Sequence, residues 1–143
     1  MRADLAIMNS SATRVVLAGI NARHSHTNLA IRYLRNILAE RGHAPLIREY
    51  TINMAAIDVV EDLCALKPDV LFLSVYIWNS AMIDSLLPDL IRLLAPCPVI
   101  LGGPEVSYQA ARWLDRHPGI GAVVAGSGEG PLAALADGGF SLP

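Results

Sequence analysis

Five short apolar runs alternate along this chain with five stretches of helical spacing, and few folds accept that order. Arg14–Ile20 is a continuous, β-branched run, as a strand covered on both faces should be. A polar stretch, 21–27, follows it. Asn28 to Arg41 then reads as a helix with Ala30, Leu34, Ile37 and Leu38 on one face. Gly42 stands where a glycine ends a helix. Leu46–Tyr50 is a weaker strand, and Arg48 and Glu49 inside it suit a sheet edge. Ala55–Ala65 is a short helix with Ile57, Val60 and Cys64 inward. Val70–Val75 is the strongest strand.

Ser80 is a candidate N-cap for the next helix, whose Met82, Ile83, Leu86, Leu87, Leu90, Ile91 and Leu94 fall at helical spacing. Pro98–Leu101 is a buried strand that ends at Gly102-Gly103. Pro104 and Glu105 open a helix carrying Val106, Ala110, Trp113 and Leu114. Ile120–Ala125 is a fifth strand, and Pro131–Ala136 begins a last helix. Alternation of this kind predicts a parallel sheet with right-handed crossovers. The fold expected is α/β and flavodoxin-like (Rossmann-like): a three-layer sandwich with a five-stranded parallel sheet in the order 2-1-3-4-5.

Composition removes several classes of function. With 143 residues, 53 % of them hydrophobic and 17 % charged, the chain suits one domain with a full core. Net charge is -2, Lys67 is the single lysine, and no basic stripe awaits a nucleic acid. Mean hydropathy is positive, yet the apolar runs are far shorter than the roughly 18 residues of a membrane span. The first residues lack a secretory pattern, so a cytoplasmic location is expected. Cys64 and Cys97 stand apart and read as buried or incidental thiols, and no cysteine triplet for an iron–sulfur cluster is present.

In such a sheet ligands bind beyond the carboxyl ends of the strands. The loops there are 21–28, 76–80, 102–105 and 126–129. They gather His24, His26, Trp78 and two glycine pairs, whereas the opposite loops hold ordinary breakers such as Lys67-Pro68-Asp69. Gly102 and Gly103 let a backbone approach a ligand closely, and Pro104 and Glu105 start a helix whose amino end favours an anion. A tight turn explains the glycines equally well. Gly126, Ser127, Gly128 and Glu129 carry the same two readings. Neither loop is a P-loop or a dinucleotide fingerprint. Asn21, Arg23, His24, Ser25, His26 and Thr27 offer cofactor contact, phosphate binding or acid–base work, against a plain solvated loop. Tyr76 and Trp78, with Val75 and Asn79 beside them, offer an apolar platform for a planar ligand, against simple loop packing. Ser74 is a lone hydroxyl in an apolar strand. Trp113 reads as core, and His43 and His117 as helix-end residues, capping or exposed. A receiver domain lacks its acids here, and a serine hydrolase lacks GxSxG.

VVLAGINARHSHTNLAIRYLRNIL, KPDVLFLSVYIWN, ILGGPEVS (100–107) and VVAGSGEGPL (123–132) together resemble the N-terminal cobalamin-binding domain of cobalamin-dependent radical S-adenosylmethionine proteins. The resemblance runs from Arg14 to about Leu135. It implies a corrinoid at the sheet's carboxyl edge, with Ser74, Gly102 and Gly103 around its nucleotide tail and loop 21–27 facing the corrin. Cobalamin domains of the methionine-synthase kind carry DxHxxG, SxL and GG. Aligned on Asn28, Asn21 takes the place of their aspartate, Arg23 of the cobalt-ligating histidine and His26 of the glycine. His24 or His26 is then the candidate cobalt ligand, and a cobalt without a protein ligand is the other option. The resemblance further implies a module that is not catalytic alone. A radical S-adenosylmethionine domain, in cis or trans, would carry the iron–sulfur cluster and the S-adenosylmethionine, and the whole would be of methyltransferase type. The rivals are a scaffold domain that has lost cobalamin, and a nucleotide-binding domain. The expected layout is a flexible leader at 1–13, the binding domain at 14–136, and a tail or linker at 137–143. A bulky residue at Gly103 is expected to abolish corrinoid binding with the fold intact.

Overall fold

The computed structural model describes residues 12–142, so most of the expected leader lies outside the described residues. Five parallel strands form one sheet in the order β2-β1-β3-β4-β5, as expected. They are β1 (Val15–Asn21), β2 (Leu46–Thr51), β3 (Val70–Ser74), β4 (Val99–Gly102) and β5 (Ala122–Val123). The polar strand β2 is at one edge, and β1, whose seven residues are all buried, is interior. The helices are α1 (Leu29–Glu40), α2 (Ala56–Ala65), α3 (Ser80–Leu94), α4 (Pro104–Ser107), α5 (Ala110–Arg116) and α6 (Glu129–Asp137).

Alternate residues of each strand feed two separate cores, as the two-residue period of a strand requires. Val15, Leu17, Val70, Phe72 and Ile100 face α1 and α6. Val16, Ala18, Ile20, Leu71, Leu73 and Leu101 face the layer of α2, α3 and α5. This is the three-layer sandwich. Helix α1 ends in a Schellman motif: the His43 N–H donates to Leu38 O and the Gly42 N–H to Ala39 O, with Gly42 at φ 83°. Beyond α6 the chain still packs, because Phe140 is buried and meets His43 edge-on.

Several local expectations are corrected. The inner face of α1 is Ile31, Leu34 and Leu38, while Ala30 is exposed. In α2 the buried residues are Val59, Val60 and Leu63, and Ile57 points outward at 57 % exposure. Both errors have one cause: a helix of ten or twelve residues can be rotated by a third of a turn without losing an apolar face, and only the facing sheet selects the rotation. Ser80 is the first residue of α3 rather than its cap. Asn79 occupies the cap position, with its side chain engaged elsewhere. The helix expected from Pro104 to Leu114 is two helices. Ser107 donates to Gly103 O and accepts from Gly126 N–H, which ties α4 to the sheet edge, while α5 turns to bury Trp113. Strand β5 is only two residues long, although Gly121 and Val124 each donate a further bond to β4. Helix α6 begins at Glu129, earlier than expected. His117 is the C-cap of α5, its N–H donating to Trp113 O, and it is not exposed. It is buried, 2.6 Å from Asp84 Oδ1, and joins α5 to α3.

Candidate cofactor site

The carboxyl ends of β1, β3 and β4 meet at one level, where Ser74 lies between Gly19 and Gly102 in register. Strand order reverses between β1 and β3, and the helices leave to opposite faces there. A cavity of about 570 Å³ opens at this edge and runs down between α1 and α6 onto the sheet. Its inner end is apolar, formed by Ile31 and Leu34 of α1, Phe72 of β3, Val124, and Leu132 of α6. Ser74, Tyr76, Gly102, Gly103 and Pro104 come to its walls from the loops after β3 and β4. Gly126, Ser127, Gly128 and Glu129 come to it from the loop before α6. Sequence reasoning missed Tyr33, Ser107 and Tyr108, which also line it. Tyr33, on α1, and Tyr108, just after α4, stand exposed at its mouth, and large aromatics near a ligand edge were the available signal.

The two glycines after β4 have different tasks. A side chain at Gly103 would lie 2.5 Å from Val75 O and 2.9 Å from Val75 N, and its φ is 112°. It is glycine because β3 and the turn press together. The expectation that this position tolerates bulk is therefore corrected. Gly102 is different: a methyl placed there would find its nearest neighbour, Val124 Cβ, 4.0 Å away, so its missing side chain is open cavity. Helix α4 has only four residues and carries little of the dipole that the sequence suggested for an anion.

The loop after β1 is built from its two ends. Glu49 on β2 accepts from the Asn28 N–H at 2.6 Å, from Asn21 Nδ2 at 3.3 Å and from Arg32 at 2.6 Å. Asn21 also donates to His26 O, and Asn28 caps α1 by accepting from the Ile31 N–H. Gly19 makes room for that cap, since a methyl there would sit 2.6 Å from Asn28 Nδ2. Burial would raise the Glu49 carboxyl, but the bonds from Asn28, Asn21 and Arg32 and the Arg32 charge hold it below 4.5. Arg23, His24, Ser25, His26 and Thr27 are left as an exposed bridge between two fixed ends. They do not line the cavity. Asn21 does not either, because it is buried and its amide is spent on the loop.

Asn79 is fully buried and works as a staple. It accepts from the Tyr76 N–H and donates to Ile20 O and Ser74 O, which joins the ends of β1 and β3. Val75 is buried beneath, and Glu105 donates its N–H to Val75 O. Tyr76 and Trp78 stack with centroids 4.4 Å apart and planes 6° from parallel, and Trp78 Nε1 donates to Ile20 O. Trp78 remains 46 % exposed, so the pair forms a fixed aromatic shelf beside the mouth. The cysteines have no part in it. Burial raises both thiols, Cys97 to about 11, which keeps them protonated and unreactive. Among the described residues no three His, Cys, Asp or Glu side chains gather as a metal site, and no helix is long and apolar enough to cross a membrane.

A doubly wound sheet with a deep apolar chamber at its switch point defines a class: α/β domains that bury part of a large cofactor. Within that class the chain belongs to the B12-binding domain family, whose profile matches residues 15–136. No curated protein matches the chain. Among solved structures it is similar to the cobalamin-dependent S-adenosylmethionine radical enzyme OxsB, determined with aqua-cobalamin and S-adenosylmethionine bound. The TM-score is 0.68 at 15 % identity over 88 % of this chain. It is also similar to a cobalamin-binding protein from Desulfitobacterium hafniense DCB-2, with a TM-score of 0.62 at 14 % identity over 90 % of the chain. The chain spans 18 % of the first protein and 59 % of the second. A diflavin flavoprotein from Nostoc sp. shares the fold at a TM-score of 0.51. This chain is a cobalamin-binding domain, and its cofactor is cobalamin. The cavity suits that group, being large, apolar inside and open at the edge where Gly102 leaves space.

Proposed function

We propose that the chain is the cobalamin-binding module of a radical S-adenosylmethionine enzyme of methyl-transferring type, and that it does no chemistry alone. The observation that carries the binding geometry is the chamber between α1 and α6. It takes the nucleotide tail, with Gly102 and Ser74 at its neck. The Tyr76–Trp78 shelf and loop 23–27 then lie against the corrin. Bound cobalamin supplies the methyl-carrying cobalt. This chain's residues bind and orient it and keep water from its tail.

Cobalt in this reading has no histidine ligand from the chain. A ligating histidine is normally oriented by a hydrogen bond from its other ring nitrogen. The His24 and His26 rings are exposed and make no hydrogen bond among the described residues. The likeness to OxsB supports a radical S-adenosylmethionine domain, in cis or trans, as the partner bearing the iron–sulfur cluster. Leu29 at 76 % and Ile77 at 78 % exposure lie on the same sheet edge and give such a domain an apolar rim.

The test is a titration with hydroxocobalamin, followed by gel filtration and the visible spectrum. The expected result is stoichiometric co-elution, with a spectrum that His24→Ala and His26→Ala leave unchanged. A folded protein that retains no corrinoid would overturn the reading. A spectral change in either variant would restore a histidine ligand.

A further inference from the structure

We infer that the chamber selects among corrinoids by their lower base, taking an alkylbenzimidazole and discriminating against a purine. The inference rests on the proposed binding of the nucleotide tail between α1 and α6. Its argument is the distribution of polar atoms along the chamber. Buried Ile31, Phe72 and Leu132 form the inner end, closed by Leu34 and Val124. Among the described residues no charged side chain lines that end. Glu129 and Ser127 are exposed at the mouth, as are Tyr33 and Tyr108.

Two serine hydroxyls stand at the neck. Ser107 is spent, donating to Gly103 O at 2.8 Å and accepting from the Gly126 N–H at 3.0 Å. Ser74 makes no side-chain hydrogen bond among the described residues and is half-buried beside Gly102. The inner end of the chamber therefore offers a base hydrocarbon, and its polar groups, the Ser74 and Tyr76 hydroxyls and the backbone of the glycine loops, come from the loops at the sheet edge. A benzimidazole nucleotide brings one free ring nitrogen and apolar edges, which one hydroxyl satisfies. An adenine brings an amino group and several ring nitrogens, and most of these would be dehydrated without a partner. Discrimination of this kind arises from unpaired polar atoms of the ligand and not from lost area.

The experiment measures dissociation constants of the protein for three probes by isothermal titration. They are cobalamin, its analogue with adenine in place of dimethylbenzimidazole, and cobinamide, which has no nucleotide tail. Cobalamin is expected to bind at least about tenfold tighter than the adenine analogue, with cobinamide also weaker than cobalamin. Leu34→Gln, which places an amide in the chamber wall, is expected to narrow that ratio. Adenine and benzimidazole forms of equal affinity, both above cobinamide, would overturn the selectivity and leave the tail site standing. Cobinamide as tight as cobalamin would show that the tail lies elsewhere, again without touching corrinoid binding. An unchanged ratio in Leu34→Gln would remove the base from this chamber. Binding of none of the three to a protein folded by circular dichroism would overturn both the inference and the functional reading.

Discussion

Gly102 and Gly103 are chemically identical neighbours, and their surroundings divide them. Gly103 lies against the Val75 backbone with a positive φ, so Gly103→Val is expected to destabilise the fold by about 1–3 kcal/mol or more. Gly102 opens on the cavity, so Gly102→Leu should keep the melting temperature and lose corrinoid retention. Circular dichroism melts and co-elution with cobalamin read the two effects separately. A Gly102→Leu protein that still retains cobalamin would show that the neck is not the entry. The glycine pair was legible in the sequence as a close approach. Which glycine approaches the chain's own backbone and which leaves space for a ligand was not, because that depends on the position of Val75, twenty-eight residues back.

At the scale of elements, the edge strand β2 acts at a distance from the cavity. Its Glu49 fixes both ends of the loop after β1 and the start of α1. The carboxyl is held below its ordinary 4.5, so its contribution is fully present above that value and is lost as pH falls through the lower folded value. Urea midpoints of the protein should therefore fall as pH drops below 4.5. Glu49→Gln should flatten that fall and weaken the fold at pH 7 by about 1 kcal/mol, the scale of a lost charge-assisted bond at a partly exposed site. A parallel fall in both proteins would assign the acid sensitivity to other groups. The sequence showed Glu49 only as a polar interruption that suits an edge. Its partners Asn21, Asn28 and Arg32 are on other elements, and only the register of β1 against β2 brings them together.

For the whole molecule, two cores separated by one sheet leave the cavity as an extension of the smaller α1–α6 side. A ligand that enters there bridges the two helices and binds only the folded chain. Cobalamin at a hundred times its dissociation constant should stabilise the protein by about 2.7 kcal/mol. For a chain of this size that corresponds to a rise of about 5–10 °C in melting temperature. Cobinamide at the same multiple of its own dissociation constant should give an equal shift, so the comparison must be made at equal concentration. There the tail's contribution appears as the difference. No shift with cobalamin would contradict binding to the native state.

The order of the elements and the parallel sheet were determined by the sequence alone, because hydrophobic periodicity is a local rule, and the 2-1-3-4-5 arrangement followed from the flavodoxin-like pattern with the polar second strand at an edge. The loops that could carry a site followed from the same order. Tertiary structure decided everything that depends on which residues face each other. It set the rotation of α1 and α2, broke the expected helix at Tyr108 and Gln109, and buried His117 against Asp84. It also turned Asn21 and Asn79 from cofactor candidates into internal staples, and joined Tyr33, Phe72 and Leu132 to the glycine loops around one chamber. Such contacts are made by residues far apart in the chain. No periodicity encodes them, because they exist only once the sheet has set the distances.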